Sequence, residues 1–165
     1  MPRLILLLAA LVAACAPAAP PTAAFRDPGA PIWSAAALDP ARLAGAWRQV
    51  ADFAAPGAPP CPGGAITFAP GGDSVSGMLC TGGAPRRVAG AVRLVAPGRL
   101  AVAGEAAPWW VLWLDADART AVIGTPGGSF GLVLDRGTIP ADRLAAARDV
   151  LAWNGYDLGR LRRQP

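Results

Sequence analysis

The stretch WWVLWLDADARTAVIGTPGGSFGLVLDR, residues 109–136, decides the fold. It contains three short apolar segments separated by the turn signals DADA (115–118) and PGGS (126–129), a pattern typical of consecutive β-strands. Alternate residues of a strand point to opposite faces, and in WWVLWL both faces are apolar. A sheet with one face in water alternates apolar and polar residues, so two apolar faces require two covering layers.

Outward from this stretch, short strands and turns continue through the chain from residue 38. The connections PGG (70–72) and PG (97–98) are hairpin-like, which favours neighbouring antiparallel strands. The sequence therefore predicts an all-β fold, an eight-stranded antiparallel up-and-down barrel. The strand candidates are 45–53, 64–69, 74–80, 87–95, 99–104, 109–115, 119–125 and 129–136.

One helix is predicted after the last strand, over residues 140–153, PADRLAAARDVLAW. It begins with a proline, and Asn154-Gly155 follows as a stop signal. We expect this C-terminal helix to pack outside the barrel and to cover the second apolar face. Ala121 and Gly131 are small enough to allow its close approach.

The first fifteen residues, MPRLILLLAALVAAC, have the pattern of an export signal. Arg3 precedes an apolar run that is too short to span a bilayer. The run ends at Cys15 in VAAC, which resembles a bacterial lipobox and implies a lipidated cysteine. The alternative is an ordinary signal peptide with an incidental cysteine. Residues 16–37 are rich in Ala and Pro and are interpreted as a tether, which leaves 38–165 as the folded domain.

Two further cysteines, Cys61 and Cys80, remain for a disulfide, which export to an oxidising compartment favours. Two free thiols are the alternative. If the hairpin is centred between residues 70 and 71, Cys61 faces Cys80 and Ile66 faces Val75. The same register would then satisfy both the cysteine pair and the apolar alternation.

The composition excludes several kinds of chemistry. The chain has no His, its 15 basic residues are all Arg, and it has a single Glu. A Ser-His-Asp triad and a His-ligated zinc site are therefore impossible, and we expect no metal and no cofactor. The net charge of +4 is spread along the chain, which indicates a basic surface near anionic lipid rather than a nucleic-acid interface.

Three regions in order resemble the lipocalin (calycin) family, and more narrowly the bacterial outer-membrane lipoprotein lipocalins. Gly45-Ala46-Trp47 matches the G-x-W at the start of the first strand. WVLWLDADARTAVIGTP (110–126) and FGLVLDRGTIP (130–140) resemble the second and third conserved regions, with Arg136 at the basic position. The resemblance implies that Gly45, Trp47 and Arg136 are structural, with Arg136 lying across Trp47 in a cation–π contact that closes the barrel floor.

The resemblance also implies a non-enzymatic carrier of a small hydrophobic ligand, such as a fatty acid (palmitate, for example) or a lysophospholipid. It implies a lipid-anchored protein on the periplasmic face of the outer membrane, and we expect a monomer or weak dimer. The side chains expected to turn inward and line an apolar cavity are Phe53, Phe68, Trp109, Val111, Trp113, Val122, Phe130 and Leu132.

Other functions remain open at this point. The segment AGAW (44–47) with the cysteine hairpin also resembles small periplasmic inhibitors of secreted metalloproteases, in which the N-terminal tail enters the protease cleft. A structural envelope lipoprotein with a solid core is a further alternative. An enzyme would have to rely on Asp or Glu105, and the closely spaced Asp115 and Asp117 have an ordinary explanation as turn residues.

Overall fold

A computed structural model describes residues 24–164 of the chain. They form nine strands, one α-helix and two short 3-10 helices, Pro40–Leu43 and Leu158–Arg160. The strands and the helix are β1 (Gly45–Phe53), β2 (Gly64–Phe68), β3 (Ser74–Thr81), β4 (Ala84–Ala96), β5 (Arg99–Val102), β6 (Trp109–Leu114), β7 (Thr120–Gly124), β8 (Gly131–Asp135), α1 (Ala141–Trp153) and β9 (Leu161–Arg163).

The first eight strands close into an antiparallel barrel. Each of them pairs with the next along the chain, and β1 pairs with both β2 and β8, which closes the sheet. The short β9 extends the sheet beyond β2 by pairing with the end of β1 over residues 51–53. The predicted eight-stranded up-and-down barrel with a helix outside is confirmed.

Two apolar clusters lie on the two sides of the barrel wall. The interior cluster takes residues from all eight barrel strands, from the segment that crosses the floor and from the β7–β8 loop: Leu38, Leu43, Trp47, Ile66, Phe68, Val75, Leu79, Val88, Val92, Leu100, Val102, Trp109, Val111, Ala121, Ile123, Phe130, Leu132 and Leu134. The outer cluster lies between the wall and α1: Phe25, Ala51, Phe53, Leu112, Val122, Val133, Ile139, Ala147, Leu151 and Tyr156. The two covers that the sequence requires are therefore both present.

Two β-bulges change which side chains face inward. In β1, Gln49 pairs with Leu134 and Ala51 pairs with Val133, which leaves Val50 as an extra residue. In β6, Leu112 is the extra residue between two regular pairs with β7. An extra residue reverses the inward–outward alternation beyond it, so the ends of β1 and β6 present faces that simple alternation does not predict.

The β2–β3 hairpin differs from the predicted register by two residues. Phe68, not Ile66, lies opposite Val75. Because the side-chain period of a strand is two, this shift keeps the same residues on the inner face. The predicted disulfide is nevertheless present, since Cys61 lies before β2 and reaches Cys80 with a Cα–Cα distance of 6.0 Å.

The N-terminal strap, residues 24–37, is packed against the barrel. Phe25 and Arg26 are buried, and the Arg26 guanidinium donates to the carbonyls of Asn154 (3.0 Å) and Pro126 (2.6 Å). This part of the predicted tether is thus folded onto the domain, because Phe25 and Arg26 bind to the barrel. The Ala/Pro-rich composition of the segment does not indicate these contacts. Residues 1–23, which include Cys15, lie outside the described residues.

The helix α1 packs on the outer wall through Ala147 and Leu151, both without accessible surface. The prediction that Gly131 allows close approach of the helix is wrong, since Gly131 makes room for the Tyr156 side chain instead. A Cβ at Gly131 would lie 2.7 Å from Cε1 of Tyr156. Ala121, the other small residue expected under the helix, faces the barrel interior. Between residues 24 and 164, no helix is long and apolar enough to cross a membrane.

Candidate functional site

One end of the barrel is closed by Trp47 and Arg136. The Trp47 indole is buried and donates its N–H to the carbonyl of Leu43 (2.6 Å). The Arg136 guanidinium carbon lies 4.0 Å from the centre of the Trp47 ring, in the cation–π contact that the resemblance implies. Arg136 also donates to the carbonyls of Ala44 (2.8 Å) and Ala118 (2.6 Å), and burial lowers its pKa. This floor is a structural site.

The barrel interior is filled by its own side chains. Of the residues expected to line a cavity, five lie in the interior cluster: Phe68, Trp109, Val111, Phe130 and Leu132. The Trp109 and Phe130 rings pack edge to face with centroids 5.8 Å apart. Trp109, Val111 and Leu132 have a relative exposure of 0%, so no space large enough for water borders on them. The expected apolar hollow is therefore not open at this depth of the barrel.

Three other residues expected to line the cavity lie in the outer layer instead. Phe53 packs against Tyr156 with ring centroids 5.0 Å apart, outside the wall. Trp113 is half-buried against the same outer cluster. The bulges at Val50 and Leu112 put these two side chains on the outside.

Val122 is the third, and its orientation follows from the β7–β8 register. It lies opposite Val133 on the outer face, whereas Ile123 lies opposite Leu132 on the inner face. Val122 and Leu132 therefore point to opposite faces, and the prediction that both point inward is wrong for Val122. The inward residue of β7 at this level is Ile123.

A cavity of 450 Å³ opens at the end of the barrel opposite Trp47. This volume is within the range of sites that bind small molecules. Its walls come from the strap, the loop after β1 and the loops β3–β4, β5–β6 and β7–β8. The residues of this mouth cavity are Phe25, Ala55, Thr81, Gly82, Arg86, Gly104, Glu105, Ala106, Ala107, Thr125, Ser129 and Phe130.

An ion pair crosses part of the mouth cavity. The Arg86 guanidinium forms two hydrogen bonds with the Glu105 carboxylate, of which Nη2 to Oε2 measures 3.0 Å. The Trp109 indole N–H donates to the same Oε2 at 3.1 Å, which links the ion pair to the packed interior. The Arg86 side chain is 36% exposed and the Glu105 side chain 11%, so the guanidinium is the more accessible partner.

The mouth cavity combines two kinds of surface. Phe25 and Phe130 supply aromatic area, while Thr125 and Ser129 supply hydroxyl groups and Arg86 a positive charge. Such a lining suits a small amphiphile whose polar group is anionic. The sequence predicted Phe130 as a cavity residue but not Arg86 or Glu105. The one signal for Glu105 is that it is the single glutamate in the chain. Within residues 24–164, no group of three or more His, Cys, Asp or Glu side chains is placed to hold a metal ion.

The fold is that of the lipocalins. The match to insecticyanin from the tobacco hornworm Manduca sexta covers 82% of this chain and 85% of insecticyanin, with 14% identity and a TM-score of 0.57. The match to lobster apocrustacyanin A1 covers 74% of this chain and 77% of apocrustacyanin, with 15% identity and a TM-score of 0.55. The match to the siderocalin Ex-FABP, described as having dual ligand specificities, covers 75% of this chain and 94% of the siderocalin, with 17% identity and a TM-score of 0.56. No protein-family model and no curated protein matches the sequence.

Proposed function

We propose that this protein binds and carries a small amphiphile, a fatty acid or a lysophospholipid, in the mouth cavity. The observation that carries the proposal is the 450 Å³ cavity at the open end, with two aromatic rings and one guanidinium on its walls. Ligand binding by proteins of the same fold, such as the siderocalin with dual ligand specificities, supports it. The function is carriage rather than catalysis.

The packed interior sets how such a ligand would lie. Phe130 borders the mouth cavity and packs on Trp109 below it, so an acyl chain stops at this layer. A buried methylene contributes about 0.8 kcal/mol, while association costs roughly 4–15 kcal/mol. A chain that is only partly covered is therefore expected to bind with micromolar or weaker affinity, which suits a carrier that must release its ligand.

The location proposed for this activity is the periplasmic face of the outer membrane. The support is the sequence of residues 1–15, in which a basic start and an apolar run end at Cys15 in a lipobox-like VAAC. Several acyl chains on one cysteine would hold the protein stably at the bilayer, where a single chain would not. A carrier anchored in this way would exchange ligand with nearby lipid.

A second candidate function is that of a structural envelope lipoprotein without a ligand. The complete burial of Trp109, Val111 and Leu132 favours it, because a barrel that transports bulky ligands inside needs interior space. The protease-inhibitor alternative is weakened by the strap, since residues 24–37 contact the barrel and are not free to enter a cleft.

The test is a titration of the full chain with a dansyl-labelled fatty acid, followed by displacement with palmitate and with lysophosphatidylcholine. We expect saturable binding at micromolar concentrations. Arg86→Gln removes the accessible positive charge and should weaken binding of the anionic probe about tenfold, in line with the 1.5–3 kcal/mol typical of charged hydrogen bonds.

The matched control is Arg87→Gln. Arg87 is the next residue on β4, is exposed and does not line the mouth cavity. Its substitution therefore removes the same charge from the outer surface. An equal loss in both variants would mean that net charge, not the cavity, attracts the probe. Absence of a saturable and displaceable signal in the wild-type chain would favour the structural lipoprotein.

A further inference from the structure

Two exposed tryptophans flank an apolar groove on the outside of the barrel. Trp33 is 61% exposed and Trp153 is 78% exposed, although tryptophan side chains are mostly buried in folded proteins. Together with Leu112, Val150, Asp149 and Asn154 they line a groove of 280 Å³, here called the tryptophan groove. Nothing among residues 24–164 covers it.

The tryptophan groove lies beside the point where the described chain begins. Asn154, at the C-terminal end of α1, accepts from the Trp33 backbone N–H at 2.7 Å. Its carbonyl accepts from Arg26 at 3.0 Å, and Arg26 is two residues from Ala24. Cys15 is nine residues before Ala24, and a fully extended chain of that length reaches at most about 30 Å. A lipid on Cys15 would keep this part of the surface close to the bilayer.

The same contacts connect the groove to the open end of the barrel. Arg26 also donates to the carbonyl of Pro126, and the Phe25 N–H donates to the carbonyl of Gly128 at 2.7 Å. Pro126 and Gly128 belong to the β7–β8 loop, which contributes Ser129 to the mouth cavity. The chain start therefore lies at the mouth end of the barrel. The tryptophan groove continues from it along the outer wall between α1 and β6, and Ser34, next to Trp33, donates to the Pro97 carbonyl in the β4–β5 turn at 2.8 Å.

The chemistry of the groove fits the headgroup region of a bilayer. Tryptophan concentrates at membrane interfaces because its ring is apolar while its N–H needs a polar partner. Asp149 lines the groove as well, and a carboxylate is tolerated among headgroups but not in hydrocarbon. The net charge of +4 favours approach to anionic lipid.

We propose that the tryptophan groove rests in the headgroup layer of the bilayer that anchors the chain, and so holds the outer wall between α1 and β6 against the membrane. The inference rests on the proposed lipid anchor at Cys15. It adds a membrane-docking surface and a fixed orientation, which a lipid tether alone does not supply.

The experiment uses the full chain purified from its membrane and reconstituted into vesicles of phosphatidylethanolamine and phosphatidylglycerol with brominated acyl chains. Vesicles are floated, and tryptophan fluorescence is measured on the floated protein. We expect bromine to quench the emission, and the double variant Trp33→Phe/Trp153→Phe to lose most of that quenching. Trp113→Phe is the control, because Trp113 is packed against the outer cluster under α1.

The outcomes distinguish the docking surface from the lipid anchor on which it rests. Protein that floats without quenching, or whose quenching survives the double variant, overturns the docking surface and leaves the anchor intact. Protein that does not float overturns both. A double variant that floats normally but changes from dimer to monomer in analytical ultracentrifugation would assign the groove to a second copy of the chain and overturn the membrane proposal.

Discussion

At the scale of single residues, Trp47 owes its position to the groups around it. Its ring is stacked by Arg136, and its N–H is satisfied by the Leu43 carbonyl. Gly45, which has a φ of +96°, lies directly under the guanidinium, where a Cβ would be 3.0 Å from Nη1. A side chain at residue 45 would thus disturb both the backbone and the contact between Arg136 and Trp47, which is the physical reason for glycine at this position.

Arg136→Ala should destabilise the domain by about 2–3 kcal/mol, because it removes a cation–π contact and leaves backbone carbonyls without a charged donor. Arg136→Lys should recover only part of this loss, since an ammonium cannot reproduce the planar fork. Urea unfolding followed by circular dichroism measures both. Unfolding midpoints equal to that of the wild type would show that the contact between Arg136 and Trp47 contributes nothing.

Tyr156 is the only tyrosine of the chain and should report on burial through its ionisation. Burial raises its pKa to about 12, and its hydroxyl donates to the carbonyl of Phe130 at 2.9 Å. A folded-state pKa above the unfolded value of about 10 means that its contribution to stability is complete below pH 10 and is lost between pH 10 and 12.

Absorbance titration of the phenolate measures this directly. The folded chain should ionise near pH 12 and the urea-unfolded chain near pH 10. In Tyr156→Phe, this tyrosine-dependent loss of stability between pH 10 and 12 should disappear. A folded chain that ionises at the same pH as the unfolded one would contradict the buried position of the ring.

At the scale of elements, the sequence predicts which strands form better than it predicts where their side chains point. The strand candidates and the helix agree closely with β1–β8 and α1, because turn residues and apolar periodicity are local signals. The orientations of Phe53 and Trp113 depend on the bulges at Val50 and Leu112, which arise from pairing between strands. No local pattern marks such an extra residue.

The disulfide shows how a correct pairing can follow from an incorrect register. The cysteines are 19 residues apart and join the segment before β2 to the end of β3. Closing a loop of this size contributes roughly 3 kcal/mol to stability in the chain-entropy description. The double variant Cys61→Ala/Cys80→Ala should lose about that amount in urea unfolding, and wild-type protein unfolded with a reductant present should match it. A variant as stable as the oxidised wild type would contradict a stabilising role.

At the scale of the whole molecule, the sequence indicated a barrel but not how far it is filled. Eight strands enclose a space that side chains can just fill or that can hold one small ligand, so the outcome depends on a few residues. Here Trp109 and Phe130 fill the layer below the mouth. The cavity lies among the loops at the mouth instead. Its ion pair joins Arg86 and Glu105, which are 19 residues apart in the sequence. Pairing of β4 with β5 brings these two segments together.

Trp109 separates the mouth cavity from the barrel interior, so a smaller residue at this position should deepen the mouth cavity. Trp109→Leu should cost about 2–3 kcal/mol of stability, since a large buried side chain is cut back and its hydrogen bond to Glu105 is lost. The variant should also bind palmitate more tightly relative to decanoate than the wild type does, because added methylenes gain a buried surface.

Trp110→Leu is the matched control, as Trp110 packs on the outer face beneath Arg99. Displacement of the dansyl probe by the two fatty acids gives the ratio of affinities. A ratio that is the same in wild type and in Trp109→Leu would mean that the interior collapses around the smaller side chain, so that filling is a property of the whole barrel rather than of one indole.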